Sequence, residues 1–95
     1  METFSFDQLK TAYVVEITPE LQQAIQEAAR KAFPDDAGTS FNVVRVIASE
    51  GSRFVEVTPD KDTGYERYIF ELDSKDKLAR AYALEDHQFV LHFSG

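Results

Sequence analysis

FNVVRVIASEGSRFVEVT, residues 41–58, contains two runs rich in β-branched residues joined by Glu50-Gly51. A two-residue connection with glycine second, between alternating apolar runs, specifies a tight hairpin whose primed turn matches strand twist. Pairing Ser49 with Ser52 and counting outward sets Ile47 opposite Phe54, Val46 opposite Val55, Arg45 opposite Glu56, Val44 opposite Val57 and Val43 opposite Thr58. Side chains alternate with period two, so Val44, Val46, Val55 and Val57 form one wholly apolar face. Val43, Arg45, Ile47, Phe54, Glu56 and Thr58 form a mixed face centred on an opposite-charge pair.

Upstream of the hairpin, Ala12 to Ile17 reads as a strand and residues 4–11 favour neither strand nor helix. Thr18-Pro19-Glu20 supplies an N-cap hydroxyl, a proline at the first helical position and an acid near the positive end of the helix dipole. Leu21, Ala24, Ile25, Ala28 and Ala32 then keep helical spacing as far as Phe33. Pro34 to Gly38 ends that helix. Downstream, Thr58 to Gly64 is a turn cluster, and Tyr65 to Leu72 is a strand with Tyr68, Phe70 and Leu72 inward. Asp73-Ser74 opens a second, shorter helix through about Leu84, striped by Leu78, Ala81 and Tyr82. Gln88 to Phe93 is a final strand that buries Phe89, Leu91 and Phe93 and turns Val90 and His92 outward.

The expected fold is one α+β domain over residues 1–95. It is a two-layer sandwich in which a mostly antiparallel sheet of about five strands carries two helices on one face, in the order β-α-β-β-β-α-β. On element order alone this resembles the ferredoxin-like plan with one strand added; the alternative is a cystatin-like helix on a sheet. Such plans host many unrelated functions.

Composition narrows the function. The formal charge is −7, from 17 acidic and 10 basic residues, which opposes binding to phosphate backbones. There is no cysteine, so disulfides, thiolate chemistry and Cys-ligated zinc are excluded. No apolar run is long enough to span a membrane, and METFSFDQLK lacks the basic-then-apolar order of a signal peptide. A cytoplasmic protein without membrane attachment is expected.

No nucleophile elbow, phosphate-binding loop, dinucleotide fingerprint or H-E-x-x-H pattern occurs. Asp60, Asp62 and Glu71 have part of a calcium-loop spacing, but Gly64 sits at the fifth position instead of the sixth and strands flank the loop. His87 and His92 are an odd number apart, which points them to opposite faces of one strand. No catalytic residue, metal or cofactor is therefore assigned. Scattered carboxylates leave no spacing by which to recognise them, so catalysis stays open with non-catalytic binding favoured.

What remains is the sheet face opposite the helices, with Val43, Arg45, Ile47, Phe54, Glu56, Arg67, Ile69 and His92 as the expected interaction surface. Branched aliphatics and an aromatic interleaved with charge are richer than a solvated face requires. The competing reading is that Phe4 and Phe6 fold over it. Three functions follow. The first is a non-catalytic regulator or immunity-like inhibitor that binds itself, as a homodimer, or a protein partner through this face. The second is a small-molecule binder or cofactor-free enzyme using His92, Arg45 and Arg67 in a cleft between sheet faces of a dimer. The third is an acidic mimic of nucleic acid.

Overall fold

The computed structural model describes residues 2–95. Seven strands form a single antiparallel sheet: β1 (Thr3–Phe4), β2 (Tyr13–Val14), β3 (Phe41–Ser49), β4 (Ser52–Pro59), β5 (Tyr68–Leu72), β6 (Leu78–Glu85) and β7 (Gln88–Ser94). Their order across the sheet is β1-β7-β6-β5-β4-β3-β2. One helix, α1 (Pro19–Ala32), packs on one face. None of the described helices is long and apolar enough to cross a membrane. The expected sandwich of five strands and two helices is thus corrected to a sheet-dominated fold with one helix.

The second helix is the source of the error, because residues 78–85 are strand β6. Ala81 and Ala83 point toward α1 while Tyr82 faces the other way, a period of two that the helix-forming alanines disguise. Small side chains suit β6 because the alanines of α1 come down on the same layer. Asp73, read as a helix opening, caps a turn instead. Its Oδ1 accepts from the backbone N–H of Lys75 at 2.8 Å and of Lys77 at 2.9 Å. An Asp that can start a helix can also close a hairpin, since both uses bind free backbone donors.

These donors, Lys77 first and then Lys75, hold the Asp73 carboxyl below its ordinary value of 3.8. A depressed folded-state pKa contributes stability above the unfolded value and loses it as pH falls through the folded one. Asp73→Ala should therefore narrow its stability deficit against the wild type as urea midpoints are taken from pH 7 down to pH 3. A deficit independent of pH would show the carboxylate to be irrelevant.

The hairpin of β3 and β4 keeps the expected pairs from Ser49↔Ser52 to Arg45↔Glu56, and then a bulge shifts the register so that Val43 pairs with Val57. Val44 is the unpaired extra residue and turns out to solvent, while Val43 joins the helix-side core. A second departure lies in β7, where the register shifts opposite Ala81/Tyr82. Phe89 and Leu91 consequently face away from α1, Phe93 faces it, and Val90 is buried. Both dipeptide turns, Glu50-Gly51 and Asp86-His87, have positive φ at both positions, as primed hairpin turns demand.

The helix obeys its sequence. Thr18 Oγ1 accepts from Leu21 N–H at 3.2 Å, and Leu21, Ala24, Ile25, Ala28 and Ala29 are buried. Thr18→Ala should cost about 1 kcal/mol, a fall of about 4–8 °C in melting temperature for a domain of this size. An unchanged thermal midpoint would mean that Pro19 alone fixes the helix start.

The N-terminal segment decides what the opposite face can do. β1 pairs with β7 at one edge, and β2 pairs with β3 at the other. Residues 5–12 must therefore cross the whole sheet as a strap. Nine residue steps from Phe4 to Tyr13 reach at most about 30 Å, and six strand spacings of about 4.8 Å across a flat sheet need about 29 Å. The strap has no such slack, since it contains a 3-10 turn at Phe6–Gln8 and a positive φ at Thr11. A flat sheet is therefore too wide for the strap, and register shifts in β3, between β5 and β6, and between β6 and β7 are where its strands can bend to meet it.

Candidate interaction surface

The strap fills the sheet face expected to be open. Phe4 is buried, stacked on Phe54 with ring centroids 5.1 Å apart and set against Tyr82 at 5.3 Å and Phe89 at 6.5 Å. With Ile69 these rings make a second core, flanked by Phe6, Leu9 and Leu91. Burial raises the pKa of the Tyr82 phenol, and neighbouring Glu71 adds to the rise.

Beside this core lies a charged group. Glu56 is buried and accepts from Arg45 Nε at 2.8 Å and from an Arg67 terminal nitrogen at 2.6 Å. The Arg45 guanidinium also sits 3.9 Å above the centroid of the Phe6 ring, a cation–π contact that ties the strap to the charge. Further along, Arg80 bridges Glu71 at 3.3 Å and Glu2 at 3.8 Å. Coulombic attraction to Glu71 raises the Arg80 pKa.

Of the expected surface residues, the structure brings Arg45, Ile47, Phe54, Glu56, Arg67 and Ile69 onto this one face. Phe54, Glu56, Ile69 and Ile47 are buried there, and the two arginines are half-exposed over Glu56. Val43 and His92 lie on the helix side. The His92 ring packs against Phe33 at 5.6 Å and Tyr65 at 5.3 Å, and its Nε2 lies 2.5 Å from Glu85 Oε2. It opens on a cleft of about 340 Å³ shared with Asp35, Asp36 and Thr63. Thr63 hydrogen-bonds the Tyr68 hydroxyl, whose pKa burial raises. His92 thus does not share a cleft with Arg45 and Arg67. Asp60 and Asp62 accept from the backbone N–H groups of Ser40 and Gly64.

The exposed apolar surface lies elsewhere. The large hydrophobics exposed among the described residues are Tyr13 at 67%, Val14 at 73%, Ile17 at 41% and Val44 at 43%. Tyr13 and Val14 are β2 itself, Val44 is the bulged residue of β3, and Ile17 follows β2 in the connection to α1. Tyr13 pairs with Ala48, Val14 with Ile47, and Val15 N–H donates to Val46 O at 2.9 Å. That alternation turns the odd-numbered backbone groups toward β3 and the N–H and C=O of Val14 outward. β2 stops after two residues, so the register running on past Val15 brings Ile17 toward the level of bulged Val44. The edge is anchored at its start by the Ser49 hydroxyl, which donates to Lys10 O at 2.5 Å. A cleft of about 350 Å³ lies alongside, between Tyr13, Val15 and the tip of the β3–β4 hairpin.

Sequence reasoning passed over this edge, although a signal was there. Tyr13, Val14, Val15 and Ile17 are apolar at both strand parities, more than one buried face requires. An outward, unpaired, apolar strand is what a sheet normally blunts with charge, proline or cover. Compared with models of protein families, with curated proteins and with solved structures, the chain matches none.

Proposed function

We propose that this protein is a non-catalytic interaction module that engages a protein partner by strand addition at β2 and the adjoining start of β3. The observation that carries the reading is the exposure of Tyr13 and Val14 on the outermost strand β2, with exposed Val44 on the neighbouring β3 and exposed Ile17 just beyond β2. An added strand satisfies outward backbone groups, and side-chain pockets beside the edge supply selectivity. A regulator or inhibitor of a basic partner suits the charge of −7. A photo-crosslinking residue at position 13 should trap a partner in the producing cell, while the same group at Gln23, exposed on α1, should not. Equal yields from the two positions, or none from position 13, would refute it.

A second reading, small-molecule binding, is favoured by the cleft at His92, where Glu85 orients the imidazole beside Tyr65. On that reading His92→Ala removes ligand-induced amide shifts at Tyr65 and Thr63 and leaves position-13 crosslinks intact. Ligand shifts that survive the substitution would sink it.

A further inference from the structure

Resting on the edge-binding reading, we infer that the occupant of the β2 edge is an extended basic segment of another protein, with apolar side chains alternating with lysine or arginine, and not a second copy of this chain. The argument is one of charge. Residues 1–29 contain five carboxylates, Glu2, Asp7, Glu16, Glu20 and Glu27, against a single base, Lys10. Glu16 follows the outward Val14 by two residues and lies on the same side of the strand, Glu20 opens α1 just beyond, and Glu50 tips the adjacent hairpin. None of these three takes part in the ion pairs found among the described residues. Of the basic side chains near β3, Arg45 is committed to Glu56 and Arg53 to Asp76, which leaves Lys10, at the start of the edge, as the one base beside three such acids.

A second copy would bring the same acids and another −7 to the joint. A basic strand meets them with opposite charge, at positions that alternate with the apolar ones. Its valine-like residues lie on the face of Tyr13, and its lysines, on the opposite face with Val14 and Glu16, meet Glu16 and, beyond the hairpin tip, Glu50. Main-chain hydrogen bonds to Val14 fix the register, and charge selects the partner.

Val14→Pro removes the backbone donor, and Val14→Ala, which keeps that donor and should keep the preference, controls for the lost side chain. Proline removes the outward N–H of Val14, and the bonds to β3 run through Tyr13 and Val15, so the fold survives. Three labelled synthetic strands of equal length serve as probes in fluorescence anisotropy with the full chain: valine alternating with lysine, valine alternating with glutamate, and the first composition in block order. The alternating lysine strand should bind at least about tenfold more tightly than either other strand, equivalent to about 1.4 kcal/mol, and should weaken as salt rises. Val14→Pro should abolish this preference at an unchanged melting temperature.

Equal binding of the three strands, no binding, or a preference that survives Val14→Pro would overturn the inference. So would a wild-type dimer in sedimentation equilibrium that Val14→Pro dissolves, since the occupant would then be a second copy. A position-13 crosslink of a non-self partner without peptide preference leaves the module and removes only the basic strand; absence of that crosslink removes the module itself.

Discussion

Phe4→Ala should lower the unfolding free energy by about 3–5 kcal/mol, the usual cost of deleting a buried phenylalanine. Against a typical total of about 5–15 kcal/mol for a domain, that is a large fraction. The size follows from the number of elements that this one ring joins. It stacks on Phe54 of β4, touches Tyr82 of β6 and Phe89 of β7, and meets Phe6 of the strap. Truncation leaves a cavity in a core of only a few side chains, and it loosens the pairing of β1 with β7. Urea midpoints report the loss, and binding of a hydrophobic dye reports the uncovered face. A loss below about 1 kcal/mol would show that the strap is a passive cover.

The second large effect concerns Glu56. Removing both of its cations in Arg45→Ala/Arg67→Ala should cost about 3–5 kcal/mol, because a buried carboxylate is left without compensation. Each arginine is about half-exposed, so Glu56→Ala should cost less, as the freed guanidinium groups turn to water. Replacing all three with Met, Leu and Met should lie near the wild type or above it, as buried ion pairs exchanged for packed hydrophobics often do. Chemical denaturation of the three variants tests the ranking. If the double alanine variant proved no worse than Glu56→Ala, the carboxylate would have to be reaching water in the folded state.

Legibility in the sequence followed how local each cause is. Glu50-Gly51 and Thr18-Pro19 signal their turn and their cap within a few residues, and both are found where expected. The bulge at Val44 carries no glycine or proline to mark it, and it arises where β3 must bend beyond the end of β2. β6 hides behind alanines whose helix propensity is real but is overruled by packing beneath α1. The mixed sheet face was legible in composition, and Phe4 and Phe6 were legible as apolar anchors. Their meeting depends on contacts between residues some fifty to eighty-five positions apart in the chain, from Phe4 to Phe54, Tyr82 and Phe89. No window of neighbouring residues contains that information. The β2 edge was hidden for a related reason, since only the strand order puts β2 outermost.

The strap also orders events during synthesis. Among the strands of the described residues β1 is made first, yet its partner is β7, the seventh in chain order. Until β7 has left the ribosome, Phe4 lacks its strand partner and its contact with Phe89, and its seat on Phe54 and Tyr82 is not held by backbone pairing. The nascent chain can form the β3–β4 hairpin and α1 early, but it cannot pair β1 until β7 follows. Closing a loop of nearly the whole sequence is a slow, non-local step. Aromatics left uncovered in that interval are the surface through which a partly made chain aggregates.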